Sequence, residues 1–126
     1  MQKPNGLAKN ERLSSIMAVR RIFTEGTSGF VYPFRFMTII EESASPTVEV
    51  LFSVPKRFHK RANKRNMLRR RTKESYRLSK QRLITSATDS GKSIDVALVY
   101  SSKDVVSYKV IDHAIQRILE EISARC

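Results

Sequence analysis

Residues 54–77 read VPKRFHKRANKRNMLRRRTKESYR. From about Arg61 to Ser79 the chain has no glycine or proline and is crowded with arginine and lysine, both good helix formers, so it predicts a long basic helix. At about 100° per residue, Asn66, Arg69, Arg70, Lys73 and Arg77 fall on one face over three turns. Leu68, Thr72 and Ser75 fall on another face, a stripe of small and apolar side chains on which the helix can dock. Just upstream, Val48–Val54 (VEVLFSV) reads as a strand that Pro55 cannot continue in a central position.

Working outward from this stretch, Ser14 is an N-cap for a helix over about 15–25, in which Ile16, Val19, Ile22 and Phe23 recur at near-helical spacing before Gly26. Phe30–Ile40, rich in aromatic and β-branched residues, predicts one strand with Pro33 at its beginning or edge, and Glu41–Thr47 a hairpin loop to the next. Downstream, residues 83–93 (LITSATDSGKS) carry the Ser, Thr, Asp and Gly of a loop, and Ile94–Tyr100 is a buried strand. Ser107 caps a last helix with Ile111, Ile115, Ile118 and Ile122 on its inner face. The elements order as αββαβα, an α+β two-layer sandwich in a single domain of 126 residues, with residues 1–12 a loose leader.

Between Lys56 and Arg82 stand thirteen basic residues and one acid, Glu74; the remaining 99 residues carry 11 basic and 11 acidic side chains. The whole net charge of +12 therefore sits in one segment, far beyond what ion pairs within the helix can neutralise. Such focused charge calls for a polyanion. No apolar run approaches the roughly 18–20 residues of a membrane span. The N-terminal run lacks a signal peptide's apolar core, and the single cysteine, Cys126, offers no disulfide framework, so the expected compartment is the reducing cytosol.

RNA is the expected polyanion, since no zinc-ligand set, heptad zipper or helix-turn-helix spacing is visible. Phe30, Tyr32, Phe34 and Phe36 either fill the core or offer stacking surfaces for unpaired bases. His59 and His113, the only histidines, have no carboxylate pair or nucleophile near them in sequence, so they read as structural or surface residues and no catalytic side chain is assigned. The absence of Cys and His clusters leaves no protein metal site.

In this setting the run from Val54 to Arg77 resembles the signature of the bacterial ribonuclease P protein family, a basic helix with the pattern R-N-x-x-[KR]-R-x-x-[RK], matched by Arg65, Asn66, Arg69, Arg70 and Lys73. RIFTEG at the end of the first helix, LFSVPKR before the basic helix, and the last strand and helix extend the resemblance over most of the chain. The sequence departs from the family at HKRAN, where a Gly-Asn-Ala type turn is usual, at Lys73 in place of arginine, and at Met37, near which an aromatic is expected.

The resemblance implies a cytoplasmic ribonucleoprotein that removes the 5′ leader from precursor tRNA, with catalysis carried by RNA and Mg²⁺ held mainly by that RNA. It implies two partners, the ribonuclease P RNA subunit and precursor tRNA. Arg61, Lys64, Arg65, Asn66, Arg69, Arg70, Lys73 and Arg77 are then expected to bind RNA, and Val19, Phe23, Arg35, Met37, Ser53, Lys56, Arg57 and Phe58 to line a leader-binding cleft. It also implies a left-handed β-α-β crossover, against the general preference for the right hand. The competing reading is a non-catalytic structural RNA-binding protein such as a ribosomal component, which composition fits equally well.

Overall fold

A computed structural model describes residues 16–126; the expected leader at 1–12 and the Ser14 cap lie outside the described residues. Helix α1 (Ile16–Glu25) leads into strands β1 (Thr27–Val31), β2 (Phe34–Glu42) and β3 (Val48–Ser53). Helices α2 (Ala62–Ser79) and α3 (Gln81–Ser90), strand β4 (Lys92–Tyr100) and helix α4 (Tyr108–Ala124) complete the chain. The strands form one mixed sheet in the order β1-β2-β4-β3. The fold is the expected α+β sandwich, with β3 and β4 parallel and joined over the sheet by α2 and α3.

Three local features differ from the sequence reading. The single strand expected over 30–40 is a hairpin, β1 turning into β2 at Tyr32-Pro33, whose peptide bond is cis. Residues 43–47 do not make a hairpin between β2 and β3, because β4 lies between those strands. That segment crosses the start of β4 instead, Ser43 N–H donating to the Gly91 carbonyl at 3.0 Å and Ile94 N–H to that of Thr47 at 2.8 Å. The third difference is α3 itself, which occupies most of the expected loop at 83–93. Leu83 and Ala87, one turn apart, bury its inner face, and Gly91 ends it in the left-handed conformation at φ 67°, where a glycine carries no Cβ penalty.

Strand alternation divides the sheet into two unlike faces. Phe34, Phe36, Val48, Val50, Ile94, Val96, Leu98 and Tyr100 meet Leu68, Tyr76, Leu83 and the inner face of α4 in the main core. The opposite face carries a smaller cluster of Ile22, Met37, Ala97 and Val99, flanked by Ala18, Val19, Ile39 and Leu51. On that face α1 is the only helix among the described residues that contributes to the cluster, and it covers the sheet only in part.

Candidate nucleic-acid interface

The basic helix docks as its stripe predicted: Leu68, Thr72 and Ser75 are buried, together with Tyr76. Two polar contacts fix it to the region of α4, Ser75 Oγ donating to Asp112 Oδ1 at 2.7 Å and Arg71 Nη1 to the Val106 carbonyl at 2.9 Å. The flank away from α4 borders β3, where Lys73 Nζ lies 5.9 Å from the Phe52 ring centroid. Arg61, Lys64, Asn66 and Arg70 are exposed, whereas Arg69, Lys73 and Arg77 are half-buried. Two of the expected RNA-binding residues have intramolecular duties that the sequence pattern did not indicate. Arg65 turns back to donate to the carbonyls of His59 and Lys60 at 3.1 and 2.7 Å, fixing the turn ahead of the helix. Arg77 Nε donates to Glu74 Oε2 at 3.1 Å; this hydrogen bond holds the Glu74 carboxyl below its ordinary range and raises the Arg77 guanidinium.

The first turn of α2 holds no acid, and its N-cap residue, Arg61, makes no side-chain capping hydrogen bond. The positive end of the helix dipole thus adds to Lys60, Arg61 and Lys64 instead of being offset.

The second surface is the partly covered face of the sheet. Cross-strand register sets Phe30, Arg35, Val99 and Ser53 in one row across all four strands, and Ser28, Met37, Ala97 and Leu51 in the next row of that face. Ile22 is the fully buried centre of α1, and at about 100° per residue Arg21 and Phe23 project to opposite flanks of it. Arg21 reaches the Glu42/Lys92 end of the sheet, where its Nη1 donates to Glu41 Oε2 at 3.1 Å. Val19 and Phe23 project from the flank of α1 opposite Arg21, toward the Phe30–Ser53 end of this sheet face. Val19 and Met37 pack in the smaller apolar cluster, and Phe23 is 49% exposed. Beyond β3 the chain turns after Val54, with Lys56 and Arg57 exposed and the Arg57 guanidinium 4.9 Å from the Phe58 ring centroid.

Of the eight expected cleft residues, Val19 and Phe23 lie on α1, Arg35, Met37 and Ser53 on this face of the sheet, and Lys56, Arg57 and Phe58 in the turn that follows β3. Of the four candidate stacking aromatics, Phe34 and Phe36 are core residues with essentially no exposed surface, so their stacking role is withdrawn. Tyr32 is tied down by its hydroxyl, which donates to Asp104 Oδ2 at 3.0 Å and lies 3.2 Å from Ser102 Oγ. His59 is buried beside the ring of Tyr100, and its Nε2 donates to the Ser102 carbonyl at 2.8 Å; His113 is exposed.

Beyond the other flank of α1, Glu49 and Asp95 pair across β3 and β4. Burial pushes both carboxyls above their ordinary range; the Asp95 charge adds to this at Glu49, and Arg21 opposes it at Asp95. Among the described residues no three His, Cys, Asp or Glu side chains come together as a metal site, and no helix is long and apolar enough to cross a membrane.

Known proteins share this fold. The RNase P proteins of Staphylococcus aureus and Thermotoga maritima superpose with TM-scores of 0.68 and 0.66 at 21% identity. The first match covers 93% of this chain and 92% of the other, and the second 88% and 96%; at that identity the likeness speaks for the fold. In sequence, the chain is 30% identical over 119 residues to the Ribonuclease P protein component of Porphyromonas gingivalis, covering 94% of this chain and 87% of that protein. It is 31% identical over 129 residues to that of Chlorobium phaeobacteroides, covering 94% and 88%. The family described as Ribonuclease P matches residues 7–123, which takes in both α1 and the basic helix. A match of that extent, joined to relatives of similar length and a shared fold, means that the chain belongs to the ribonuclease P protein family.

Proposed function

We propose that this protein is the protein subunit of a ribonucleoprotein that removes the 5′ leader from precursor tRNA in the cytoplasm. In this reading the exposed cations of α2 bind the catalytic RNA, and the cleft holds the single-stranded leader. The observation that carries it is the meeting of two chemically different surfaces at β3. Phe52 supports Lys73 on the helical side of that strand, while Ser53 sits in the cleft row on the other. A guanidinium-rich face suits the dense phosphates of a folded RNA, and an apolar floor edged by cations suits unpaired bases with their backbone. The protein binds and orients substrate; bond cleavage is left to the RNA.

Mg²⁺ supplies charge neutralisation at the reacting phosphate in such a reaction. In this reading Mg²⁺ is held mainly by RNA oxygens, the hard ligands that such a cation takes. The test is cleavage of precursor tRNA at sub-saturating Mg²⁺ by the matching RNA subunit, with and without this protein. Added protein should raise leader removal and protein alone should cleave nothing; cleavage by purified protein without RNA would overturn the reading.

A further inference from the structure

Phe30 stands out once the aromatic strand is sorted. It is 59% exposed although it lies within a strand, and its neighbours along β1 show which way it points. Val31 packs against the main core, and a Cβ added at Gly29 would stand 2.5 Å from the Phe36 ring, so these two residues face the helical layer. Alternation then turns Phe30 to the other face, beside its register partner Arg35 and at the outer end of the row that continues through Val99 to Ser53.

We propose that Phe30 extends the leader track to the outer edge of the sheet, stacking on a leader nucleotide whose phosphate is met by Arg35. The inference rests on the leader-cleft reading above. It assigns a nucleotide-binding residue outside the cleft as resemblance drew it. Three inter-strand steps separate β3 from β1, about 14 Å. The α2 surface that binds the catalytic RNA adjoins the β3 end, so the leader enters there and Phe30 meets nucleotides remote from the cleavage site. Stacking on a ring tolerates any base, so the residue senses the length of the leader more than its sequence.

The experiment is a set of binding measurements on the reconstituted holoenzyme with mature tRNA, a precursor trimmed to the few leader nucleotides beside the cleavage site, and a precursor with a long leader. Phe30→Ala should weaken long-leader binding roughly 5- to 100-fold, with the short precursor and mature tRNA unaffected. Phe30→Tyr should retain the long-leader affinity, and Phe30→Leu, equally apolar but without a ring face, should not. A thermal melt checks that each variant is folded, as expected for a side chain so exposed. An unchanged ratio of long- to short-leader affinity in Phe30→Ala would overturn the inference, as would full affinity in Phe30→Leu. Loss of self-association with that ratio unchanged would also overturn it, and would assign Phe30 to pairing between two copies at the β1 edge. If the unaltered holoenzyme bound mature tRNA as tightly as either precursor, the leader-cleft reading itself would fall, and this inference with it.

Discussion

The basic helix and the proposed cleft lie on opposite sides of the sheet at β3, and the chain supports them differently. Helix α2 is rooted in the main core through Leu68 and Tyr76 and bonded to the α4 region through Ser75 and Arg71. Helix α1, the wall of the proposed cleft, has only Ile22 as a fully buried side chain and rests on a small cluster with Met37, Ala97 and Val99. In the proposed reading, the surface that matches the fixed phosphates of a folded RNA stands on the more deeply anchored side. The surface proposed for a flexible strand uses the more lightly anchored helix, which lower burial makes easier to open locally.

The sharpest way to break this contrast is Ile22→Ala, which removes the anchor of α1 and should cost about 2–5 kcal/mol. Hydrogen exchange should then show α1 losing protection ahead of α2, with RNA-subunit binding retained and the preference for leader-bearing substrate reduced. Equal loss of protection in both helices would mean that the two sides open as one unit.

His59→Ala should cost about 1–3 kcal/mol by chemical denaturation, because it leaves the buried Ser102 carbonyl without its donor. This histidine belongs to both surfaces: its ring pins the turn that carries Phe58, and its carbonyl accepts from Arg65. Assembly and leader binding should therefore weaken together, while the chemical step at saturating Mg²⁺ stays unchanged. His113→Ala, at an exposed position, should alter neither.

A loss of about 1–3 kcal/mol, in assembly instead of folding, is expected when Arg69 and Arg70 are both replaced by alanine. The log-log salt dependence of RNA-subunit binding should become shallower, since fewer counterions are released. An unaltered salt slope would remove these two residues from the phosphate-binding face.

The smallest expected effect concerns the Glu49–Asp95 pair. Their raised carboxyls mean that the folded state holds protons more tightly than the unfolded chain. The destabilising charge is absent below the unfolded carboxylate pKa of about 4 and grows as pH rises through the raised folded values. Asp95→Asn should accordingly raise thermal stability at neutral pH by less than about 1 kcal/mol after solvent screening, and the gain should vanish in acid. A gain independent of pH would place its cause elsewhere.

Elements with a strong local period were legible in the sequence. The isoleucine stripe of α4 is buried as spaced, and its Ser107 cap accepts from Val110 N–H at 3.3 Å. Helix α3 was hidden because its Ser, Thr and Asp favour turns in isolation, whereas here Leu83 and Ala87 are buried in the main core and the chain runs on from α2 through helical Lys80. The insertion of β4 between β2 and β3 is a non-local pairing that no local pattern encodes. At the interface, residue type and spacing located the cationic face, but the return of Arg65 to backbone carbonyls and the burial of Phe34 and Phe36 depend on tertiary neighbours.

The division of labour is tested most directly by the ratio of affinities for leader-bearing and leaderless tRNA in the reconstituted holoenzyme, measured for Phe23→Ala/Phe58→Ala beside Arg69→Ala/Arg70→Ala. The phenylalanine pair should leave assembly intact and lower the ratio by about 1–3 kcal/mol for each stacked base lost. The arginine pair should weaken assembly and leave the ratio unchanged once the complex is saturated. A folded phenylalanine variant with an unaltered ratio would contradict the account, reducing those rings to packing.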